Sequence, residues 1–378
     1  MKQLEKINPH WFAEEDPVIS EWKEKEIHVI PKWLREISLE KFSLNFIIGP
    51  RRVGKTTGMK LLIQNLIKRG ADPKKIVYVN VDLIPNLSLF QSILEEILEK
   101  KFEYIFIDEA TSLQDWWRPL KGFIDAGKFK NSVIVVSGSV TLKLKGHAEL
   151  FPGRMGKGKK IYVMPLSFKE FYKTVGKRKF LSLSKSFLQY LQYGGFLGSL
   201  ENRNKFITDL VSSIEGEILK SGLNLDLASQ IFSSILSKIP SAFSYQSVAS
   251  DIGIDYKTVR HYLEYFEGMY LIGLAYWKNH SIKWRKEKKI FFRDPLLLDA
   301  VSCWTSTEYL ESALYENIVQ EHLYRKYGKI YYFRNSYEID CIAGNYRIEV
   351  KAGKPYRKYP ENVLVLDKNK IPEFLLKL

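Results

Sequence analysis

The sequence predicts an α/β fold built on a parallel sheet with helices on both faces. Over the first 170 residues or so, short apolar runs alternate with segments of helical spacing, and glycine-rich or polar turns separate them. Chains with this alternation cover both faces of a parallel sheet with the connecting helices. With 378 residues, 45% of them hydrophobic, the chain can bury a sizeable core and is long enough for two or three domains.

Four apolar runs predict the strands of this sheet. A segment with helical spacing follows the first run, and we expect that helix to end at Gly70, because Pro73 follows closely. A second helical segment, at residues 89–98, lies between the second and third runs. The apolar runs cover residues 42–48, 76–81, 104–107 and 133–136.

The composition excludes several classes of protein. The two cysteines, Cys303 and Cys341, lie far apart and outside any C-x-x-C pair, which excludes zinc and disulfide frameworks. The six histidines show no H-x-x-x-H spacing. The N-terminus lacks the apolar region of a signal peptide, and the longest near-apolar run, residues 268–277, is too short to cross a bilayer. We therefore expect a cytoplasmic protein without a membrane partner.

The charge balance is strongly basic. Lysine and arginine total 58 and aspartate and glutamate total 43, which gives a net charge of +15 and a pI near 9.4. A surface of this sign attracts polyanions, so DNA, RNA and an anionic membrane surface are the partners to weigh. Charge alone is weak support for a polynucleotide.

A glycine-rich motif links the first predicted strand to the first predicted helix. It fits the pattern G-x-x-x-x-G-K-[ST] in the strand–loop–helix setting that the pattern requires. The glycines let backbone N–H groups surround a phosphate, and the start of the helix adds positive potential. We expect Lys55 to reach the β- and γ-phosphate oxygens of ATP and Thr56 to give its hydroxyl to Mg²⁺. The alternative is a glycine-rich turn before an ordinary helix. The predicted nucleotide-binding residues of this P-loop are Gly49, Pro50, Arg51, Arg52, Val53, Gly54, Lys55, Thr56 and Thr57.

Two acids, Asp108 and Glu109, end the third apolar run. Buried strands rarely end in adjacent carboxylates without a reason, because like charges repel. Downstream of a P-loop, the first acid is expected to orient Mg²⁺ and the second to polarise the attacking water. We therefore predict that Asp108 is a Mg²⁺ ligand and that Glu109 and Lys55 are catalytic. The alternative is that Asp108 caps a helix.

Two further residues are candidates for the same site. Ser139 follows the fourth apolar run, where a small polar residue can sense the γ-phosphate; the alternative is a turn into the next loop. Arg154 lies in a glycine-rich basic loop and is a candidate to supply transition-state charge, within one chain or between copies in a homo-oligomer. The alternative for Arg154 is a solvated basic loop.

Residues 244–266 have the apolar spacing of a helix–turn–helix. Four side chains, Tyr256, Lys257, Arg260 and His261, are expected on the exposed front of its second helix. A wing strand at residues 271–277 would follow. This pattern predicts a winged helix that enters a major groove of DNA; the alternative is a winged helix used for packing within the chain. The basic run expected to contact phosphates comprises Lys278, Lys283, Arg285, Lys286, Lys288 and Lys289.

In residues 337–351, polar and apolar side chains alternate on both sides of Gly344-Asn345. This dipeptide is typical of a two-residue hairpin turn. With that turn, two residues lie opposite each other on the hairpin when their residue numbers add up to 689. Asp340 then faces Glu349, and Glu338 faces Lys351, all on one face of the sheet.

Opposed carboxylates destabilise a sheet unless a cation or a proton lies between them. We therefore predict a second Mg²⁺ site at Asp340 and Glu349, with Lys351 and Glu316 nearby. The spacing D-x8-E-x-K is that of restriction-endonuclease-like folds, in which the acids hold Mg²⁺ and the lysine positions water. The alternatives are a solvated hairpin face, with Glu338 paired to Lys351, and a nuclease-like fold that does not cleave.

These motifs together make the chain similar to a known family. It resembles the AAA+ superfamily ATPases common in archaea and bacteria, which join a P-loop domain, a winged helix and a C-terminal nuclease-like domain. The resemblance implies ATP binding and hydrolysis. The sequence departs from the family at Arg52, where Gln is usual, and at Leu197, where Pro is usual. The resemblance rests on residues 8–11, 49–57, 106–109, 137–139, 165–168, 193–196, 289–295, 315–316, 338–340 and 348–351.

Five segments are predicted from these motifs. They are a lead-in at residues 1–40, the P-loop ATPase domain at 41–175, a helical lid or linker at 176–229, the winged helix at 230–289 and the nuclease-like domain at 290–378. Our first hypothesis is an ATP-dependent protein that acts on DNA or another nucleic acid. The alternatives are a nucleotide-dependent switch or scaffold with a non-cleaving docking domain, and a protein-remodelling ATPase.

Overall fold

The computed structural model describes residues 2–138, 151–353 and 359–378. The chain divides into two compact units, Met1–Met164 and Pro165–Leu378. The first unit contains a five-stranded sheet and the second a six-stranded sheet. No helix in the three described ranges is both long enough and apolar enough to cross a membrane.

The sheet of the first unit is parallel throughout, as predicted. Its strands are β1 (Ser43–Ile48), β2 (Ile76–Asn80), β3 (Tyr104–Asp108), β4 (Val133–Gly138) and β5 (Lys160–Tyr162). Their order across the sheet is β2-β3-β4-β1-β5, and every pair is parallel. All residues of β1 and β4 are buried, as expected for central strands that are covered on both faces.

Helices flank this sheet. They are α1 (Lys2–Glu5), α2 (Pro17–Glu24), α3 (Lys55–Lys68), α4 (Leu87–Glu99) and α5 (Trp117–Asp125), with short 3-10 turns at Pro9–Phe12, Lys32–Arg35, Pro73–Lys75, Val81–Leu83 and Ala110–Ser112. Helix α3 contributes Met59 and Leu62 to a core cluster that also holds Phe106 and Val135 of the sheet. A Cβ on Gly58 would lie 2.2 Å from the Trp33 ring, so α3 packs closely against the lead-in.

The lead-in is bound along the edge strand β2. Asn8 donates from Nδ2 to the carbonyl of Tyr78 at 2.8 Å, and its Oδ1 accepts from the Tyr78 N–H at 2.7 Å. Trp11 donates from Nε1 to the carbonyl of Ile76 at 2.7 Å, and its ring stacks on Phe102. These contacts occupy backbone groups that an edge strand would otherwise present to solvent.

In its described residues, the second unit contains nine α-helices. They are α6 (Phe168–Phe171), α7 (Leu183–Tyr193), α8 (Arg203–Lys220), α9 (Leu225–Lys238), α10 (Tyr245–Ile252), α11 (Tyr256–Gly268), α12 (Pro295–Thr305), α13 (Glu311–Tyr327) and α14 (Ile371–Lys377), with a π-helical turn at Tyr172–Gly176 and a 3-10 turn at Leu197–Leu200. Helix α13 is almost wholly buried from Ala313 to Leu323, so it is a central element of this unit.

A mixed six-stranded sheet runs through the second unit. Its strands are β6 (Ile272–Trp277), β7 (Lys288–Phe292), β8 (Ile330–Arg334), β9 (Glu338–Ala343), β10 (Tyr346–Lys351) and β11 (Leu364–Asp367). The order is β11-β10-β9-β8-β6-β7; the pairs β6–β8 and β10–β11 are parallel, and the others are antiparallel. Strands β9 and β10 form the predicted hairpin in the predicted register, with Arg347 opposite Ile342 and Ile348 opposite Cys341.

The helix–turn–helix pattern corresponds to α10 and α11. Ser244 caps the first helix by accepting from the Ser247 N–H at 3.0 Å, and Asp255 caps the second by accepting from the Lys257 N–H at 2.7 Å. Gly253 takes φ +79° at the turn, where other residues are strained. The expected wing strand is β6, and it pairs with both β7 and β8. The wing is therefore part of the six-stranded sheet.

Three predicted boundaries fall inside elements of the structure. The boundary at 175/176 lies within the π-helical turn, the one at 229/230 within α9, and the one at 289/290 within β7. The structure's own division comes between Met164 and Pro165.

Candidate functional site

The P-loop has the geometry of a phosphate cradle. It connects β1 to α3, and both Arg52 (φ +63°) and Gly54 (φ +89°) adopt the left-handed backbone conformation. A Cβ on Gly49 would lie 2.0 Å from the carbonyl oxygen of Val163, so only glycine fits at the start of the loop. Helix α3 begins at Lys55, so its unsatisfied N–H groups face the loop.

Lys55 lies across the loop that it is predicted to serve. Its Nζ donates to the carbonyl oxygens of Gly49 at 2.9 Å and Pro50 at 2.7 Å, and the side chain is buried. Among the other predicted loop residues, Arg52 is exposed, whereas Arg51, Val53 and Thr57 are partly buried. The ammonium is thus held at the mouth of the loop, where phosphate oxygens would bind.

Asp108 is the centre of a dense hydrogen-bond network at the carboxyl end of β3. Its Oδ2 accepts from the Thr56 hydroxyl at 2.6 Å and from the Tyr78 hydroxyl at 2.7 Å. Its Oδ1 accepts from the Ser137 hydroxyl and from the Glu109 N–H, the latter at 3.1 Å. The fold therefore brings together the predicted Mg²⁺ ligands Thr56 and Asp108, which are 52 positions apart in sequence.

Glu109 differs from its neighbour in having an unsatisfied carboxylate oxygen. Its Oε2 is buried, and in the described part of the chain no group donates a hydrogen bond to it. The residue also adopts φ +51°, a left-handed conformation that is uncommon outside glycine. Leaving a buried polar atom unpaired costs about 1–3 kcal/mol, so such an atom is a candidate for contact with substrate or water.

Sequence reasoning missed Tyr78 and Lys60. Tyr78 lies on β2, and burial beside Asp108 raises the pKa of its hydroxyl, so the group remains a hydrogen-bond donor. The Lys60 ammonium lies 3.5 Å from the centre of the Tyr78 ring and pairs with Asp16 at 2.8 Å. The sequence did contain a signal for Tyr78, because a tyrosine in the apolar run before the acid-bearing one is a polar group in a predicted buried strand.

Two predicted site residues of the first unit remain, Ser139 and Arg154. Ser139 lies outside the described residues. Arg154 donates from Nε to Asp125 and from one terminal nitrogen to the carbonyl of Pro152 at 3.1 Å. In this arrangement the Arg154 guanidinium is engaged by an acid of α5 rather than by the P-loop.

The carboxylates predicted in the second unit do converge, but around a lysine. The buried Lys289 Nζ lies 2.8 Å from Glu316 Oε1, 2.9 Å from Glu338 Oε1 and 2.6 Å from Asp340 Oδ1. Burial opposes its charge, but these three acids outweigh that effect and raise the pKa of Lys289 well above its ordinary value. The expectation that Lys288 and Lys289 belong to an exposed basic run is therefore wrong, since only 8% and 2% of these residues are exposed.

Glu349 lies beside this group with different partners. Its Oε1 accepts from the Lys351 ammonium and from the Tyr359 hydroxyl, the latter at 3.0 Å, while its Oε2 is buried and unpaired among the described residues. Burial and the nearby Asp340 raise the pKa of Glu349 to about 7. Lys351 thus pairs with Glu349, rather than with Glu338 as the solvated-face alternative held. Within the three described ranges, no group of three or more His, Cys, Asp or Glu side chains has a metal-binding arrangement.

The helix–turn–helix presents a polar front. Lys257, Arg260 and His261 of α11 are exposed, and Arg260 pairs with Glu264 at 2.7 Å. The loop between β6 and β7 carries Trp284, which is 61% exposed.

Aromatic rings and cations alternate around the same loop. Its Lys286 Nζ lies 4.3 Å from the Trp277 ring centre, and Lys278 Nζ lies 4.6 Å from that of Tyr331. Sequence reasoning found the bases of this loop but not the exposed aromatic ring of Trp284.

Sequence comparison matches two segments of the chain to family models. Residues 41–172 match the AAA domain family AAA_14, and residues 184–308 match a domain of unknown function, DUF8612. An uncharacterized protein of Methanocaldococcus jannaschii, MJ1544, is 22% identical over 334 residues, which cover 81% of this chain and 73% of that protein.

Solved structures give weaker likenesses. The ORC2 protein of Aeropyrum pernix, solved in ADPNP and ADP complexes, is 13% identical with a TM-score of 0.41, and the match covers 70% of this chain and 88% of that one. AMPPCP-bound DnaA from Aquifex aeolicus is 16% identical with a TM-score of 0.33, over 62% of this chain and 84% of that one. Residues 41–172 match an AAA domain, and they contain the parallel sheet and the glycine-rich loop described above.

Proposed function

We propose that the protein binds ATP with Mg²⁺ at the P-loop, hydrolyses it, and couples this cycle to nucleic acid bound by the second unit. The observation that carries the nucleotide part is the contact between Thr56 and Asp108 at the mouth of the cradle. A hydroxyl and a carboxylate oxygen are the hard ligands that Mg²⁺ prefers, so these two residues fit the ion. When bound, Mg²⁺ would neutralise charge on the phosphates.

The remaining side chains have roles consistent with this chemistry. Lys55 would exchange its contacts with two backbone carbonyls for phosphate oxygens. Glu109, with its unpaired Oε2, would orient a water molecule and accept its proton. Ser139 would sense the γ-phosphate. Arg154 would supply transition-state charge after leaving Asp125, in the same chain or across a homo-oligomer.

Calorimetry tests nucleotide binding directly. The protein titrated with ATP and MgCl₂ should release heat with a saturable isotherm, and Lys55→Ala should abolish it. The matched control is Lys74→Ala, which removes an exposed lysine of the same unit and should leave the isotherm unchanged. No detectable heat from the unaltered, folded protein would overturn the proposal.

The nucleic-acid part of the proposal rests on two features of the second unit. The exposed cations of α11 lie on a helix–turn–helix, and the loop between β6 and β7 adds Trp284 among bases. Cations neutralise phosphates, and an exposed aromatic ring offers a surface on which a base can stack.

Fluorescence anisotropy with labelled duplex and single-stranded DNA tests this part. Binding at moderate salt that is weakened by Lys257→Ala supports it, as does stimulation of ATP hydrolysis by the same DNA. If no DNA is retained while ATP still binds, the nucleotide-dependent switch or scaffold becomes the better explanation.

A further inference from the structure

We propose that the Lys289 ammonium is a built-in cation that replaces a divalent metal in the carboxylate cluster of the second unit, so that this nuclease-like site holds the fold together and does not cleave. The cluster comprises Lys289 on β7, Glu316 on α13, and Glu338 and Asp340 on β9. The inference does not depend on ATP binding, because all of its residues lie in the second unit.

The ammonium of Lys289 is surrounded by carboxylates that can accept its hydrogen bonds. A lysine ammonium has three N–H donors. Here Nζ donates to Glu316 at 2.8 Å and to Asp340 at 2.6 Å, and it forms an ion pair with Glu338 at 2.9 Å. The cation that opposed carboxylates require is therefore already present, and it is covalently part of the chain.

The oxygens that a metal would need are largely engaged by protein donors. Asp340 Oδ2 accepts from the Val350 N–H at 2.8 Å, and Glu316 Oε1 also accepts from Gln320 at 2.7 Å. Glu349 Oε1 is occupied by Lys351 and Tyr359, which leaves Glu349 Oε2 as the cluster's unpaired buried oxygen in the described ranges. Both oxygens of Asp340 and one oxygen of each glutamate are thus held by groups of the chain, so Mg²⁺, which demands a near-octahedral oxygen shell, would have to displace the Lys289 ammonium.

The position of the ammonium also argues for a structural role. Lys289 joins its own strand β7 to helix α13 and strand β9, which are 27 and 51 positions away in sequence, counted to Glu316 and Asp340. Two of the three partners are nearly as buried as the lysine, with 5% of Glu316 and 4% of Asp340 exposed, while Glu338 is partly exposed. Removing one member of such a group leaves an uncompensated buried charge, which is strongly destabilising. The cluster therefore fixes α13 against β7 and β9.

Manganese binding to the nucleotide-free, full-length protein tests the proposal. Mn²⁺ is titrated and followed by electron paramagnetic resonance, and the number of sites in the unaltered protein is compared with that in Glu349→Gln and Asp340→Asn. Equal site numbers are expected, because no metal binds at the cluster. Loss of one site in both variants would overturn the proposal, since it would show that these acids hold a metal.

Charge-retaining and charge-removing variants provide the second measurement. Lys289→Met should lower the melting temperature by several degrees, while Lys289→Arg should recover most of that loss. If Lys289→Met does not fold, the number of Mn²⁺ sites in the unaltered protein and in Glu349→Gln still shows whether the cluster binds a metal. Incubation of supercoiled plasmid with the unaltered protein and MgCl₂ or MnCl₂ should leave the plasmid intact; nicking that disappears in Asp340→Asn would overturn the proposal.

Discussion

At the scale of single residues, the two acids at the end of β3 have opposite environments. Both oxygens of Asp108 accept hydrogen bonds from neighbouring groups, whereas Oε2 of Glu109 is buried and unpaired among the described residues. Asp108 is therefore fixed in place, while one carboxylate oxygen of Glu109 has no hydrogen-bond donor among the described residues. Sequence alone indicated both acids, because adjacent carboxylates after an apolar run are unusual.

The catalytic role that we propose for Glu109 leads to the first prediction. Glu109→Gln should reduce the rate of ATP hydrolysis by about 10²–10⁴-fold, the usual contribution of a general base. ATP affinity should change little, because the P-loop and Thr56 are untouched. Steady-state phosphate release and calorimetry measure the two quantities. The control is the exposed Glu103→Gln, and an unreduced rate in Glu109→Gln would exclude Glu109 as the base.

The structure also shows which residues local sequence cannot reveal. Lys289 follows other bases in sequence, so its pattern indicates an exposed basic run. Its burial is decided by Glu316 and Asp340, which approach it only in the folded chain. Tyr78 is similar, because its contact with Asp108 depends on the pairing of β2 with β3. Contacts between distant segments are therefore where prediction from sequence fails.

At the scale of elements, periodicity and turn chemistry predict much of the fold. The apolar runs correspond to β1 to β4 within two residues at each end, and the hairpin of β9 and β10 has the register that its glycine–asparagine turn implies. The three-residue strand β5 was not predicted, because only one of its residues is buried. The binding of residues 8–11 along β2 was also not predicted, since polar side chains recognise backbone groups without any periodic pattern.

The contact between Asn8 and β2 leads to the second prediction. Asn8→Ala should lower the free energy of unfolding by about 1–3 kcal/mol, because the buried N–H and carbonyl of Tyr78 lose their partner. Denaturant unfolding measures this change. The exposed Asn369→Ala should stay within about 0.5 kcal/mol of the unaltered protein. Equal effects of the two substitutions would contradict the role given to Asn8.

At the scale of the whole molecule, charge and buried titratable groups determine how the protein responds to its solution conditions. The net charge of +15 favours polyanions, and salt should screen that attraction. Buried groups such as His322 instead link stability to pH, because their protonation differs between the folded and unfolded chain.

The third prediction concerns salt. If α11 contacts DNA phosphates, the logarithm of the association constant should fall linearly with the logarithm of salt concentration. Lys257→Ala should weaken binding to all sequences alike and reduce the slope by about one. Anisotropy titrations at several salt concentrations measure the slope, with Lys74→Ala as control. A slope that Lys257→Ala leaves unchanged would remove α11 from the interface.

The fourth prediction concerns pH. His322 Nε2 accepts from the Phe168 N–H at 2.9 Å, its Nδ1 contacts the Ile318 carbonyl at 2.8 Å, and burial lowers its pKa from 6.5 to about 3. Below pH 6.5 the unfolded chain binds a proton that the folded chain excludes, so stability falls as the pH drops from 6.5 towards 3.

Between pH 7 and pH 5 this single group should cost about 2 kcal/mol of stability. His322→Leu should be less stable at pH 7, because the Phe168 N–H loses its acceptor, but its stability should fall less on acidification. Urea unfolding at the two pH values measures the difference. Parallel losses in both proteins would show that His322 already ionises in the folded state.

The course of β6 and β7 has a practical consequence for dissecting this protein. A fragment ending at residue 289 would carry the helix–turn–helix but lose most of β7, and β6 would lose its neighbour β8, leaving two sheet edges open to aggregation. Expression of the second unit by itself should therefore begin at Pro165 and run to residue 378, so that α10 and α11 are purified together with the sheet beside them.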